Sequence, residues 1–359
     1  MVATPEHERI TLRPREDLDL VRHHYNRRAM WGTDTVLYRT QHPMTWQRVT
    51  GNYQNWLIQT APLVPTDATS AAGEPAKLLY SEDLTFWLSR RRETMPYFFR
   101  NCDADELHLI SQGDMIYETD FGVIEVHDRD FLLIPKGVTY RVVLPEPQET
   151  LRVIYESVPE IFLVPTEMVD HVYHKGRPAV SPDRLQRPKL VEPPAAEGEY
   201  EVRVKYNGAF SDFLGEISTI VYDYYPLDVA VIDGVEPVVK FSVADIEKLG
   251  TTPVPFLGAA YLDNRQNLAW TLHLSGGGSG PVHRDADVDE MRYLSSGPKM
   301  GDILFTPQGV DHGAGRGYTK RERNRPQEPY DMGDTISAYT MKPLRGTPLC
   351  HEVARTYLC

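Results

Sequence analysis

The chain has 359 residues, a formal net charge of −13 at pH 7, and hydrophobic and charged fractions of 41% and 25%. This composition is typical of a soluble globular protein large enough for two domains, and the acidic balance argues against nucleic acid as a partner. Three widely spaced cysteines without a CxxC motif exclude a disulfide framework or a zinc finger. Because the sequence has no run of about 18 apolar residues and no apolar signal-peptide core, we expect a cytoplasmic protein without a membrane partner.

The predicted elements are mostly short strands. The 28 prolines and 25 glycines are spread along the chain, which favours strands joined by turns. ELHLISQG (106–113) alternates polar and apolar residues before a glycine, and DFLLIPKG (130–137) is an apolar run that ends at a proline and a glycine. A short helix is predicted over residues 242–250, from a capping serine to a glycine. The fold class is therefore mainly β with a few short helices.

An internal repeat runs through the chain. Residues 98–113 match residues 282–297, and IPKGVTY (134–140) matches TPQGVDH (306–312). The match aligns Arg100 with Arg284, Asn101 with Asp285, Asp105 with Asp289, Glu106 with Glu290, Gly113 with Gly297, and Tyr140 with His312. Self-similarity of this kind indicates two related folding units.

The repeat divides the chain into two predicted lobes. We place the first at residues 1–184 and the second at 199–359, joined by a Pro-rich connector at 185–198. Residues 200–215 are interpreted as a lead-in to the second lobe.

The second lobe contains the stretch HRDADVDE (283–290), followed by GDILFTPQGVDH (301–312). Taken alone, the first stretch fits either an acidic surface turn or half of a metal site. Together, the two stretches resemble the two-part signature of cupins, small jelly-roll domains. Gly301, Pro307, Gly309 and His312 fit every fixed position of the second part. His283 and Glu290 fit the ends of the first part.

The cupin resemblance implies a bicupin with two jelly-roll lobes and a metal held by His283, Glu290 and His312. Two imidazoles and one carboxylate suit non-haem Fe(II) and leave three positions open for substrate and dioxygen. Asp285 replaces the signature's second histidine, and two interpretations stay open: a fourth ligand, or a residue that orients Arg284 or a ligand imidazole. Asp311 is an equally open candidate partner of a ligand imidazole.

Other acidic residues of these stretches have simpler predicted roles. Asp287 and Asp289 are expected to face solvent. The first lobe has Phe99, Asn101, Glu106 and Tyr140 at its four ligand positions. These positions hold no imidazole, so we predict no metal there and interpret the glutamate as a satisfied buried acid.

Within bicupins, the second half resembles homogentisate 1,2-dioxygenases and their shorter bacterial relatives. The stretches that carry this resemblance lie at residues 199–208, 224–246, 281–290 and 309–315. It implies an Fe(II)-dependent dioxygenase that uses O2 to open a hydroquinone-type ring bearing an acidic side chain. A small aromatic acid would be the substrate.

The sequence departs from that family where an acid/base histidine is expected. Residues 222–233 contain no histidine, and Tyr224, Tyr225 and Asp233 stand there instead. We take Tyr225 and His273 as candidate catalytic residues, each with packing as the alternative role. The candidate substrate-binding residues are Tyr224, Arg284, Arg292 and Arg316. GGGSG (276–280) is interpreted as a flexible loop before the metal strand, since it lacks the lysine of a phosphate-binding loop.

Two rival functions stay open at this level. One is a metal-dependent cupin oxygenase or isomerase acting on a different, specialised-metabolism substrate. The other is a non-enzymatic binding or storage bicupin. A homo-oligomer is expected in each case, because exposed edge strands need cover.

Overall fold

The computed structural model describes residues 20–28, 31–163, 180, 182–194, 198–210, 216–245, 257–263, 267–275, 282–295, 299–313 and 331–357. Within these residues the fold is mainly β, which confirms the predicted class. The helical segments of this part of the chain are one α-helix, α1, and three short 3-10 turns, at Pro348–Val353, Thr66–Ala68, Pro182–Arg184 and Val243–Asp245. Of the helix predicted over 242–250, residues 246–250 lie outside the described residues.

The strands are short, as the spacing of turn residues predicts. Those up to residue 163 are β1 Val21–Arg28, β2 Trp31–Arg39, β3 Trp56–Ile58, β4 Ala76–Tyr80, β5 Leu84–Ser89, β6 Phe98–Asn101, β7 Asp105–Gln112, β8 Met115–Thr119, β9 Gly122–Val126, β10 Asp130–Ile134, β11 Thr139–Val143, β12 Leu151–Ser157 and β13 Phe162–Leu163. Those after residue 198 are β14 Tyr200–Lys205, β15 Ile217–Tyr222, β16 Val239–Ser242, β17 Leu257–Asp263, β18 Asn267–Ser275, β19 Val282–Asp285, β20 Asp289–Leu294, β21 Ile303–Thr306, β22 Asp311–His312, β23 Asp331–Thr340, β24 Arg345–Gly346 and β25 Ala354–Thr356.

The strands form four sheets, two in each lobe. The first lobe combines a seven-stranded sheet of order β16-β10-β7-β12-β5-β4-β24 with a six-stranded sheet of order β15-β14-β6-β11-β8-β9. The second lobe combines an eight-stranded sheet of order β13-β17-β18-β23-β20-β21-β3-β25 with a four-stranded sheet of order β2-β1-β19-β22. Each lobe is therefore a sandwich of two sheets, as a jelly roll requires.

The register of the strands confirms the internal repeat. In the first lobe β6 pairs with β11, so that Phe99 lies opposite Tyr140. In the second lobe β19 pairs with β22 in the same way, and His283 lies opposite His312. The two-part motif thus has the same framework in both lobes, and the residues that differ occupy equivalent positions.

The two lobes exchange strands. β1 pairs in parallel with β19 of the second lobe, and β3 pairs with β21 of the same lobe. Reciprocally, β14 pairs in parallel with β6 of the first lobe, and β16 pairs with its β10. Each sandwich is completed by strands that precede the other sandwich in the chain.

This exchange corrects the boundaries drawn from the sequence. Residues 21–58 contribute strands to the second lobe, although they were assigned to the first. Residues 200–222 contribute β14 and β15 to the first lobe rather than leading into the second. The connector also contacts the first lobe, through β-bridges from Gln186 to Lys240 and from Lys189 to Val123. Residue periodicity identifies a strand but does not say which sheet it joins.

The lobes share an apolar core between their larger sheets. Leu107 and Leu109 of β7 belong to the same buried cluster as Met291 and Tyr293 of β20. The Ser111 and Tyr293 hydroxyls form a hydrogen bond of 2.8 Å within this interface. Since side chains alternate along a strand, the intervening residues of β7 and β20 point into the interior of their own lobes.

A buried aspartate fixes the Pro-x-Gly turn in each lobe. Asp105 accepts hydrogen bonds from the backbone N–H groups of Lys136 and Ile161, both at 2.7 Å. Asp289 does the same with Gln308 at 2.8 Å and Leu344 at 2.7 Å. Asp289 was predicted to face solvent, and this prediction was wrong because the carboxylate satisfies two backbone donors inside the fold.

In the described part of the chain no helix is long and apolar enough to cross a membrane. Cys102 and Cys350 are both free thiols there.

Candidate metal centre

Four side chains meet inside the second lobe. His283, Asp285, Glu290 and His312 each offer one ligand atom, and these atoms all lie within 4.8 Å of one another. Asp285, Glu290 and His312 are buried, whereas the His283 side chain is 17% exposed. His283 and Asp285 come from β19, Glu290 comes from β20, and His312 comes from β22. The sequence prediction that three of these residues converge is consistent with this geometry.

The two imidazoles lie side by side with one orientation fixed by the backbone. Their ring centroids are 4.0 Å apart, as expected for residues opposite each other on neighbouring strands. His312 Nδ1 lies 3.0 Å from the carbonyl oxygen of Val310. Because a carbonyl only accepts, Nδ1 carries a proton, and Nε2 is the nitrogen directed at the cluster.

Glu290 is held by one oxygen and points the other at the cluster. Its Oε1 accepts hydrogen bonds from Arg292 at 2.8 Å, Ser337 at 3.2 Å and Tyr339 at 3.3 Å. Its Oε2 lies 2.6 Å from His312 Nε2, but the two atoms do not meet in hydrogen-bond geometry. Burial opposes ionisation of Glu290, yet Arg292 and His312 outweigh it and hold the pKa of Glu290 well below its ordinary value. Glu290 is therefore a carboxylate.

Asp285 belongs to the cluster and does not pair with Arg284. Its side chain is 3% exposed, and its Oδ2 lies 3.7 Å from His283 Nε2 and 3.8 Å from His312 Nε2. Burial raises the pKa of Asp285 to about 6 and outweighs the lowering effects of His312 and the Asn26 amide. Neither carboxylate oxygen receives a hydrogen bond of normal geometry. The interpretation that Asp285 orients Arg284 was wrong, because Arg284 bonds to Asp311. Two interpretations stay open: a fourth ligand, or a residue that orients a ligand imidazole.

The cluster has the chemistry of a divalent-cation site. Four of its buried polar atoms have no hydrogen-bond partner: Asp285 Oδ1, Asp285 Oδ2, Glu290 Oε2 and His312 Nε2. Buried polar groups in proteins are normally paired, so a group of unpaired ones needs an explanation. With neutral imidazoles and ionised carboxylates the four side chains carry a charge of about −2, which a divalent cation would balance.

Comparison with known proteins points to one family. The family model described as "Homogentisate 1,2-dioxygenase N-terminal" matches residues 72–237, which span the first lobe from β4 to β15. A candidate dioxygenase of Saccharolobus solfataricus is 24% identical over 252 residues, which cover 66% of this chain and 63% of that protein. Homogentisate 1,2-dioxygenase of Pseudomonas putida is 26% identical over 210 residues, which cover 56% of this chain and 44% of the enzyme.

The chain is similar to the homogentisate 1,2-dioxygenases. The curated relatives are longer, and the chain spans less than two thirds of their length. The family-model match ends before His283, so the assignment of the metal residues depends on the geometry described above.

Solved structures with a similar arrangement are more distant. Protein Ylba from E. coli is 9% identical with a TM-score of 0.43, over 83% of this chain and 95% of that chain. A deletion mutant of Bacillus subtilis oxalate decarboxylase is 11% identical with a TM-score of 0.40, over 82% and 78% of the two chains.

Two of the three arginines predicted to bind substrate are engaged by carboxylates of the protein itself. Arg284 donates to Asp311 through Nε at 2.8 Å and Nη2 at 2.7 Å. Asp311 also lies 3.0 Å from Nε2 of the buried His23. Asp311 therefore joins Arg284 to β1, and its side-chain bonds in the described structure are not to a ligand imidazole. Arg292 holds Glu290, so its observed role is to orient a candidate ligand.

The predicted tyrosines lie on the first lobe. The Tyr225 hydroxyl donates to Glu118 at 3.1 Å, and its ring packs edge-on against Phe98 and Tyr200. Tyr224 is 48% exposed and packs against Tyr222. These contacts match the packing alternative, and catalysis by Tyr225 or substrate binding by Tyr224 stays a prediction.

The last two predicted residues are His273 and Arg316. His273 lies in β18, in register with Leu257 and Asp334, and its side chain is outside the described residues. Arg316 and the GGGSG loop at 276–280 also lie outside them.

In the first lobe, hydrogen-bonded side chains occupy the position equivalent to the candidate metal centre. Glu106 accepts hydrogen bonds from Asn101 at 2.9 Å and Tyr140 at 2.8 Å, and it lies 3.0 Å from His108 Nε2. Burial opposes its ionisation, but His108 and Asn101 outweigh it and lower the pKa of Glu106. The interpretation of Glu106 as a satisfied buried acid is confirmed.

Sequence reasoning missed several residues around the centre. Ser337 and Tyr339 hold Glu290 from β23, and their spacing of two on a strand was the available signal. His23, His24 and Asn26 come from β1, which no local pattern connects to residues 283–312.

Proposed function

We propose that this chain is an Fe(II)-dependent dioxygenase that opens a dihydroxylated, hydroquinone-type aromatic ring bearing an acidic side chain. The observation that carries the proposal is the group of buried, unpaired ligand atoms on His312, Glu290 and Asp285, next to His283. The similarity to homogentisate 1,2-dioxygenases supports the choice of substrate class.

The protein's own residues supply a preorganised donor set. Val310 fixes the tautomer of His312, and Arg292, Ser337 and Tyr339 fix the direction of Glu290. Fe(II), when bound, would accept a ring oxygen of the substrate, favour its ionisation and provide electrons for O2 activation.

Asp285 separates this proposal from a second candidate function. Three protein ligands leave three positions in an octahedral site, enough for one ring oxygen of the substrate, dioxygen and one further oxygen ligand. If Asp285 is a permanent fourth ligand, two positions remain, which suits a metal-dependent cupin oxygenase or isomerase with a differently bound substrate. The unpaired oxygens of Asp285 are the observation that favours this alternative.

The test is anaerobic reconstitution with Fe(II), followed by metal analysis and O2 uptake on homogentisate and gentisate. We expect about one iron per chain, loss of iron in His312→Ala, and a ring-opened product. His127→Ala is the matched control, because that histidine is exposed in the first lobe. Iron without O2 uptake on either acid would contradict the substrate class and favour the second candidate. Absence of bound iron would overturn the ligand assignment.

A homo-oligomer is part of the proposal. β15 lies at the end of the six-stranded sheet and exposes Ile217, Ile220 and Val221. Edge strands of this kind are commonly covered by a partner. Light scattering would measure the molar mass of the purified protein and of Val221→Lys. A lower mass for the variant would indicate that β15 forms a subunit contact.

A further inference from the structure

The exchanged strand β1 lies directly beside the metal strand. Its parallel pairing with β19 places His24 opposite His283 and Asn26 opposite Asp285. β19 pairs in turn with β22, where His283 lies opposite His312. His24, His283 and His312 therefore form one row across three neighbouring strands, spaced by about 4.8 Å from strand to strand.

Alternation of side chains decides which way this row points. Paired residues on neighbouring strands project to the same face of the sheet, and adjacent residues project to opposite faces. His283 and His312 point into the cluster, so His24 shares that face. His23, Arg284 and Asp311 bond with one another on the opposite face, which agrees with this alternation.

The first lobe shows that a residue on this face of the exchanged strand can point into the interior of the sandwich. β14 pairs with β6 in the same register as β1 with β19, so that Arg203 corresponds to His24 and Lys205 to Asn26. The buried Lys205 contacts Glu156 of β12, which belongs to the other sheet of the same lobe. Residues delivered by the exchanged strand thus reach across the lobe.

His24 lies next to the cluster without being one of its members. Its imidazole is half-buried and is not in the group whose ligand atoms lie within 4.8 Å of one another. A ring bound at the cluster through the hydroxyl oxygen next to its side chain would place that side chain beside the ligands. Of the arginines predicted to bind that side chain, Arg284 donates to Asp311 and Arg292 donates to Glu290.

We propose that His24, carried into the second lobe by the exchanged strand β1, binds the acidic side chain of the aromatic substrate. This inference rests on the proposed function and adds a specificity-determining residue to it. The imidazole N–H would donate a hydrogen bond to the substrate carboxylate, and such bonds to charged groups are among the stronger ones in proteins. Asn26, two residues further along β1, would keep Asp285 in place beside His24.

The test separates substrate recognition from metal binding. Fe(II)-loaded wild type, His24→Ala and His24→Gln are titrated anaerobically by calorimetry with homogentisate and with hydroquinone, which lacks the acidic side chain. Metal content is measured on the same samples. We expect unchanged iron, homogentisate affinity weakened about tenfold or more in His24→Ala, hydroquinone affinity unchanged, and partial recovery in His24→Gln. His127→Ala serves as the control.

Each other outcome has a definite meaning. Equal homogentisate affinity in wild type and His24→Ala overturns the role of His24 and leaves the proposed function intact. Loss of iron in both His24 variants makes His24 a support of the metal site and also overturns this role. If wild type binds neither compound, the proposed function fails and this inference fails with it. His24→Gln decides the question if His24→Ala does not fold.

Discussion

Tyr140 and His312 occupy equivalent register positions in the two lobes but face their glutamates with opposite chemistry. The Tyr140 hydroxyl donates to Glu106 Oε2 at 2.8 Å, which closes the site with a hydrogen bond. His312 Nε2 lies 2.6 Å from Glu290 Oε2 and is the nitrogen directed at the same space, because Nδ1 bonds to the Val310 carbonyl. The exchange of phenol for imidazole is thus one of three differences, with Phe99 for His283 and Asn101 for Asp285, that separate a sealed polar core from a candidate metal centre.

The hydrogen bonds that orient Glu290 should set the metal affinity. Removing the Tyr339 hydroxyl in Tyr339→Phe frees Glu290 Oε1 from one of its three donors. Partners of this kind typically change metal affinity by about 10- to 100-fold, and we expect a weakening at the low end of that range. Competition with a chromogenic chelator measures it. Tyr293→Phe, which loses only the bond to Ser111 between the lobes, should bind metal as wild type does; equal affinities in all three proteins would contradict the orienting role.

Asp285 should contribute directly to metal binding. Asp285→Asn removes a negative charge whose oxygens have no hydrogen-bond partner, so we expect metal affinity to fall at least about tenfold. The matched control is Asp287→Asn, two residues along the same turn, where the carboxylate pairs with exposed Arg27. Isothermal titration with Fe(II) or Co(II) under argon compares the two. A loss of the same size in both variants would show that general charge, and not coordination, is responsible.

Glu106 should stabilise the first lobe in a pH-dependent way without affecting the metal. Its pKa is lowered in the folded protein, so the ionised form favours folding. That contribution is complete above the unfolded pKa of about 4.3 and is lost as pH falls through the lower folded value.

We therefore expect Glu106→Gln to unfold at a lower urea concentration than wild type at pH 7. Its free energy of unfolding should be smaller by about 1–3 kcal/mol. The difference should shrink as pH falls below about 4. Urea titrations at both pH values test this, with metal content as the internal control. A difference that is constant with pH would mean that packing, and not charge, is lost.

The turn before His312 should depend on glycine more strongly than its counterpart in the first lobe. Gly309 has φ +77°, and a Cβ there would lie 2.6 Å from the Tyr53 hydroxyl. Gly137 has φ +85° with nothing within 4 Å of such a Cβ. Both Gly→Ala variants incur a positive-φ cost of about 1 kcal/mol or more, and Gly309→Ala also displaces Tyr53.

We expect Gly309→Ala to melt at a lower temperature than Gly137→Ala and to bind metal more weakly, since the turn positions His312. Adding Tyr53→Phe should recover part of the loss, because it removes the clashing oxygen. Thermal unfolding by circular dichroism measures the order. Equal melting temperatures of the two alanine variants would exclude the contact with Tyr53 as a cause.

The sequence by itself determined the local chemistry. Turn residues and alternation predict short strands, and the repeat predicts two related lobes whose registers agree, with Phe99 and Tyr140 opposite each other where His283 and His312 are in the second lobe. The resemblance of residues 283–312 to the cupin signature also implied that His283, Glu290 and His312 converge. These features depend on residues close in the chain or aligned by the repeat, so a linear pattern contains them.

Only the tertiary structure decided which strands complete each lobe. The pairing of β1 with β19 joins residues more than 250 positions apart in the chain, and the alternation of a strand is the same whichever sheet it enters. For the same reason His24, Asn26 and the His23–Asp311 bond were invisible in the sequence. Burial reversed the prediction for Asp289, because two backbone donors distant in sequence need a carboxylate inside the fold.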